Sequence, residues 1–308
     1  MMKKLAPFLV LLAGILWGII GLFIRKLNIL GFASMDIVFL RAVTTSALLG
    51  LFLLIFDKEK LRIHIRDIWC FFGTAILSIV FFNFCYFKAI TLTSLSVAAI
   101  LLYTAPAVVM ILSALLFHEK ITPIKILSLA LTIAGCVFVT GVTGVLFGGG
   151  TLNIQGILTG LGAGFGYALY SIFGRYALER GYHSLTISFY TFLFAAIGTI
   201  PFANYSTLVT VCKSDFGTIP YIFLFGLVST VLPYIAYTRG LQEMENSNAS
   251  IIASIEPVTA TLIGLTVYHE ALSGLEIVSV VMVIGASILN NIGGREKYDS
   301  INVMLYKK

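Results

Sequence analysis

Charged side chains inside the long apolar runs of this chain are few, and Glu256 and Arg41 stand out among them. Glu256 is about the eighth residue of the run Ala249–Tyr268, roughly 11 Å from its start at 1.5 Å per residue. Arg41 lies in the run Ile37–Ile55, near one end. A charge at such depth costs a few kcal/mol or more unless it meets a cavity or a partner. Glu256 therefore has three readings: it holds a substrate ammonium group, it takes up a proton in a coupling step, or it hydrogen-bonds a neighbouring helix. Arg41 has two, an anchor for a carboxylate or a structural bond to backbone carbonyls. Around them the chain places aromatic rings with polar tips and short polar side chains. Trp17, Asn83, Tyr86, Tyr103, Tyr167, Tyr170 and Ser171 form the candidate binding set with Glu256, and Tyr234 and Tyr237 belong to the same cluster of aromatics. Such a set lines a mostly apolar pocket with a few hydrogen-bonding groups. The competing reading is that Tyr and Trp near run ends anchor at the membrane interface, an objection that falls hardest on Tyr86 and Tyr237.

Other chemistries are not signalled. The four cysteines have no CxxC spacing, and His64, His118, His183 and His269 are scattered. Neither His118-Glu119 nor His269-Glu270 has a second His four residues on, so the zinc-protease pattern is missing. No Ser-His-Asp grouping and no Gly-rich phosphate loop stands out. The sequence thus points away from an enzyme, a metal site, a cofactor or a disulfide framework.

The elements that must carry these residues are membrane spans. Of 308 residues 59% are hydrophobic and only 11% charged, with a mean hydropathy of +1.01. A soluble domain carries roughly 25% charged residues. The net charge of +6 would suggest nucleic acid in a soluble chain, but here the basic residues sit between apolar runs. Ten runs near the ~20 residues needed to cross the hydrocarbon core are legible. They are Leu5–Ile24, Ile37–Ile55, Ile68–Ile90, Ser96–Phe117, Ile124–Val142, Ile154–Phe173, Leu185–Ile200, Ile219–Tyr237, Ala249–Tyr268 and Leu275–Ile292. They are apolar on every face without period-2 alternation, so the expectation is an all-α integral membrane protein. The first run, after Met-Met-Lys-Lys, reads as a retained span without a small-x-small cleavage site. Fifteen Lys and Arg fall on the side of the N-terminus and four on the other, which predicts both termini in the cytoplasm.

The chain also repeats itself. Tyr86–Glu119 and Tyr237–Glu270, 151 positions apart, are identical at seven of thirty-four positions without a gap. The identities include Tyr86 and Tyr237, Pro106 and Pro257, and the two His-Glu pairs. Each proline removes a helix hydrogen bond near mid-membrane, either freeing carbonyls to line a cavity or simply kinking the helix. The reading is a duplication: residues 1–147, a linker at 148–153, residues 154–292 and a tail at 293–308. Five spans per half is odd, so the second half enters from the opposite side, as in inverted-repeat carriers. Gly14-xxx-Gly18 and Gly156-xxx-Gly160-xxx-Gly164 are expected to pack helices closely. His118-Glu119 and His269-Glu270 are expected at helix ends, with Thr122-Pro123 and Ser273 capping the spans that follow.

Ten spans, the five-plus-five duplication and the segments YFKAITLTSLSVAAILLYTAPAVV and SIEPVTATLIGLTVYHEALSGLEIVSVVMVIGASIL resemble the EamA family of the drug/metabolite transporter superfamily. The family-like pattern is a Pro, an acid at the helix end, then a Gly-containing last helix. Here these are Pro106, Glu119 and Gly135, then Pro257, Glu270 and Gly285, and Arg41 fits as well. The resemblance implies a carrier of amino acids or other small metabolites, working through a cavity between the halves. Sugar-phosphate carriers of the superfamily use several basic residues, whereas this chain has Arg41 in a span and Lys88 and Arg239 near span ends. The expectation is therefore an amino-acid or amine carrier in the cytoplasmic membrane, running as an exporter by alternating access. Its partners would be a small-molecule substrate, the lipid bilayer and protons, with no nucleic acid, and it would be a monomer or homodimer.

Overall fold

The computed structural model describes residues 2–139, 153–214, 217–269 and 274–305, with side chains over 5–138, 153–213, 217–269 and 274–292. All regular structure among the described residues is helical. Most of the linker, Glu270, Ser273 and the tail's side chains lie outside what is described.

Nine described helices are long and apolar enough to span a membrane. They are α1 (Leu5–Ile29), α2 (Ser34–Phe56), α3 (Ile65–Leu92), α4 (Leu95–Phe117), α6 (Ile154–Glu179), α7 (Ser184–Phe202), α8 (Thr218–Leu241), α9 (Asn246–Val267) and α10 (Gly274–Ile292). Between α4 and α6 lies α5, a shorter apolar helix described over Pro123–Phe138. Large apolar side chains stand on the outer surface, among them Phe8 at 63%, Leu115 at 68% and Ile154 at 72% exposure. In water this would be an aggregation surface, and in lipid it is a solvated one. Several helices outrun their apolar segments, among them α8, which runs past Tyr237 to Leu241 and includes Arg239. α1 continues past Ile24 to Ile29 and α6 past Phe173 to Glu179, so Arg25, Lys26 and Arg175 sit on helices, not in loops.

α1 turns briefly at Ile19, and four further helices are irregular in two matched pairs. α4 consists of Leu95–Leu102 and Ala105–Phe117, and α9 of Asn246–Ala253 and Glu256–Val267. Pro106 and Pro257 are each the second residue of the later piece, where a missing N–H is tolerated. Hydroxyls donate to backbone carbonyls beside the breaks: Thr104 Oγ1 to Leu101 O at 2.6 Å and Ser254 Oγ to Ser250 O at 3.0 Å. The second pair is α3 and α8. Each contains a π-helical stretch, Gly73–Val80 and Leu227–Val231, and the two stretches end on valines 151 positions apart. In α8 the wider turn also accommodates Pro233, which has no N–H to give.

The glycines explain how the breaks are covered. A Cβ at Gly14 of α1 would lie 2.7 Å from Ala253 O at the α9 break. At Gly164 of α6 it would lie 2.8 Å from Leu101 O at the α4 break. The first helix after each terminus of the duplication thus presses on the broken helix of the other half, at 150-residue-equivalent positions. Only the absence of a side chain allows that approach. Replacing Gly14 or Gly164 by Val is expected to cost about 1–3 kcal/mol through overpacking. Thermal unfolding in detergent should show both variants melting well below wild type. Gly174→Ala, where a Cβ meets nothing within 4 Å, should not fall.

Candidate substrate site

Glu256 is the first residue after the α9 break, at the N-terminus of Glu256–Val267. There the unpaired N–H groups and the helix dipole favour an acidic side chain. Its Oε2 accepts a hydrogen bond from Tyr167 Oη of α6 at 3.3 Å. The two side chains line a cleft with Tyr103, Pro106, Ser171, Tyr237 and Ser254, so both breaks open onto one space. A second cleft shares Tyr167, Ser171 and Tyr237 and is completed by Trp17, Ser78, Phe82, Tyr170 and Tyr234. Each is a cavity of about 20 Å³, room for little more than one water. The site is therefore nearly shut in this conformation.

The aromatic rings are packed against one another. Trp17 lies 5.2 Å from Tyr234 and 5.2 Å from Tyr237, and 6.3 Å from Tyr167. Tyr170 packs on Tyr234 at 4.9 Å, backed by Phe192 at 4.8 Å from the same ring. Tyr170 shares a 2.7 Å hydrogen bond with Thr238, and Ser171 one of 2.8 Å with Tyr237. Tyr237 is 4% exposed, a core side chain, so the interfacial-anchor reading does not describe it. Tyr86 packs on Phe82 at 6.0 Å and lines neither cleft.

Arg41 and Asn83 meet in a third cleft further along α3, with Ser34 and Phe87. Asn83 Nδ2 donates to Ile79 O at 2.8 Å. Ser78 and Ser229 are the residues that sequence reasoning passed over. They occupy equivalent positions in the two π-helical stretches, both are buried, and neither hydroxyl has a hydrogen-bond partner. The 151-residue offset pairs them, but a serine match in apolar sequence carries little weight until the local backbone is known.

One end of the bundle is tied by a polar network. Glu119, beyond α4, accepts from the Asn246 and Ser247 N–H groups at 2.7 and 3.2 Å and from Ser247 Oγ at 2.6 Å. It caps α9 in the other half, not the following helix α5. α5 is capped by Thr122, whose Oγ1 accepts from Lys125 N at 3.3 Å. Lys125 Nζ donates to Ser247 Oγ at 2.7 Å and pairs with Glu245 at 2.6 Å. Arg175 Nε donates to Asn246 Oδ1 at 2.9 Å, and its Nη2 to Met244 O. Glu119 reaches α9 because His118 turns the chain in the left-handed region at φ 54°, and His269 has the same φ of 54°. Nearby, between α6 and α7, burial lowers the pKa of His183, and its Nδ1 accepts from Leu185 N at 3.2 Å to cap α7.

This is the anatomy of a multi-pass membrane transporter, and the comparisons place it in a family. The model of the EamA-like transporter family matches residues 4–141 and again 154–292, and the chain belongs to that family. It is 26% identical over 220 residues to an uncharacterized transporter of Archaeoglobus fulgidus, covering 70% of this chain and 75% of the relative. It is 23% identical over 270 residues to the uncharacterized transporter YxxF of Bacillus subtilis, covering 85% and 81%. A solved structure titled "Crystal structure of protein" superposes with a TM-score of 0.74 at 17% identity, over 95% of this chain and 98% of that one, and shares its fold.

The inter-half network yields a stability test. Glu119→Ala leaves two α9 N–H groups without a cap and Lys125 without part of its surroundings, at an expected cost of about 1–3 kcal/mol. A double-mutant cycle of Glu119→Ala with Lys125→Ala, followed by thermal unfolding, should show the two changes coupled by more than about 0.5 kcal/mol.

Proposed function

We propose that this chain is a secondary carrier that moves an amino acid or related amine across the cell membrane by alternating access. The observation that carries the reading is Glu256, an acid in a membrane-length helix, at a helix break, facing a cleft of aromatic and hydroxyl groups. A substrate ammonium in that cleft would replace the Tyr167 hydrogen bond with an ion pair and stack on the rings of Trp17, Tyr103, Tyr167 and Tyr237. The same carboxylate, when unoccupied, takes up a proton, and this exchange couples transport to the proton gradient.

The transport cycle follows from the repeat. On this reading α5 is the remaining span, making ten, and residues 1–147 and 154–292 are inverted copies joined at 148–153. The Lys and Arg distribution supports a cytoplasmic position for both termini and the 293–308 tail. The Glu119–Lys125–Glu245 network then closes the cytoplasmic end, and rocking of the halves about α4 and α9 opens it. Pro106 and Pro257, beside the breaks, supply the flexible points. Export is the expected direction, and the functional unit is a monomer or homodimer.

The test is counterflow in proteoliposomes with amino acids, polyamines, sugars and sugar phosphates at pH 6 and 8. Wild type should exchange an amino acid or amine, at different rates at the two pH values. Glu256→Gln should lower exchange at least tenfold and remove the pH difference. Normal exchange by this variant at both pH values would take Glu256 out of the mechanism. Exchange of phosphorylated compounds alone would replace the amino-acid reading with that of a sugar-phosphate carrier.

A further inference from the structure

A buried charged side chain on α2 is not accounted for by the reading of Glu256. Arg41 is 7% exposed and its guanidinium makes no hydrogen bond or ion pair with any described residue. The structural alternative, a bond to backbone carbonyls, is not formed by its Nε. An unneutralised guanidinium in low dielectric costs several kcal/mol, and natural spans place such groups against a partner or a cavity. Arg41 has the cavity, a cleft that it lines with Ser34, Asn83 and Phe87.

Other buried polar atoms on the surrounding helices also lack partners. Besides Arg41 Nε, buried donors without partners include Trp17 Nε1, Thr45 Oγ1, Ser78 Oγ, Ser229 Oγ and Thr230 Oγ1. Thr45 is one helical turn from Arg41 on α2, the same face. Ser229 and Thr230 belong to the π-helical stretch of α8, which packs on α2. Ser78 and Trp17 line the adjoining aromatic cleft, next along α3 from Asn83. A buried cation that lines a cleft, on a helix packed against others with unpaired buried hydroxyls, describes a site that an anion completes. One guanidinium, with Glu256 within its electrostatic reach, suits a monoanion better than a phosphate dianion. A planar carboxylate fits the guanidinium fork with two parallel hydrogen bonds.

We infer that Arg41 binds the carboxylate of the substrate, with the Ser78 and Ser229 hydroxyls of the π-helical stretches in support. The inference rests on the amino-compound reading of Glu256 and sharpens it: Arg41 makes the carrier prefer compounds bearing a carboxylate over amines that lack one.

The chain has two tryptophans, so Trp69→Phe leaves Trp17 as the sole indole, beside the site. The full chain in lipid nanodiscs is titrated at constant ionic strength with acetate, leucine and leucinamide while Trp17 emission is followed. Acetate and leucine should change the emission saturably, with leucine at least tenfold tighter than leucinamide. Arg41→Gln should abolish the acetate response and weaken leucine at least tenfold, with leucinamide unchanged, and Arg41→Lys should recover part of the loss. Because Arg41 lacks a protein partner, ligand-free Arg41→Gln should melt no lower than wild type. A variant that melts lower, weakens leucinamide equally, or leaves acetate and leucine unaffected overturns the inference, as does Trp17 emission indifferent to all three compounds. An Arg41-dependent acetate response without any leucine or leucinamide response would keep the anion site and remove the amino-compound reading. Leucinamide binding without preference for leucine would do the reverse.

Discussion

A bilayer interior offers no water to hydrogen-bond an exposed N–H or C=O, and each orphaned group there costs several kcal/mol. This chain nevertheless interrupts two of its spanning helices. It can do so because the interruptions are covered from three directions at once. Thr104 and Ser254 donate their hydroxyl protons to carbonyls beside the breaks, Gly14 and Gly164 let whole helices close over the gaps, and the remaining polar space is a cleft. The two breaks open where α4, α9, α1 and α6 converge, and Glu256 sits at that point because α9 restarts there.

Charge follows the same economy. Glu119, Lys125, Glu245 and Arg175 are buried or half-buried, but each has a partner within a few ångströms, and together they join α4, α5, α6 and α9 at one end of the bundle. Glu256 has a phenol. Arg41 has no such partner among the described residues. The contrast separates side chains whose electrostatics are complete within the fold from one whose electrostatics are not.

Much of this could be read in the chain before any coordinates. Apolar length set the helices, and a proline repeated at the same distance from a His-Glu pair located both breaks, since few residues other than proline force a helix to restart. Glu256 stood out because an acid at that depth demands an explanation. What stayed hidden depends on direction in space. Glu119 was legible as a helix-end acid, but that it reaches across to α9 follows from the left-handed turn at His118, which histidine does not advertise. Arg175 counted as a loop charge because α6 outlasts its apolar stretch by six residues, with Arg175 turned inward to Asn246. Ser78 and Ser229 looked like ordinary small residues in apolar helices, because a π turn leaves no mark on hydropathy.

The matched π turns bear on history. A π turn holds one residue more than the α turn it interrupts, and the simplest way for a chain to acquire one is the insertion of a single residue into a helix. Here two such turns end at positions 151 apart, in halves that each match the same family model. Two independent insertions at equivalent sites are a less economical account than one insertion in an undoubled ancestor. On that account the widened turn and its serine are older than the doubling of the chain itself.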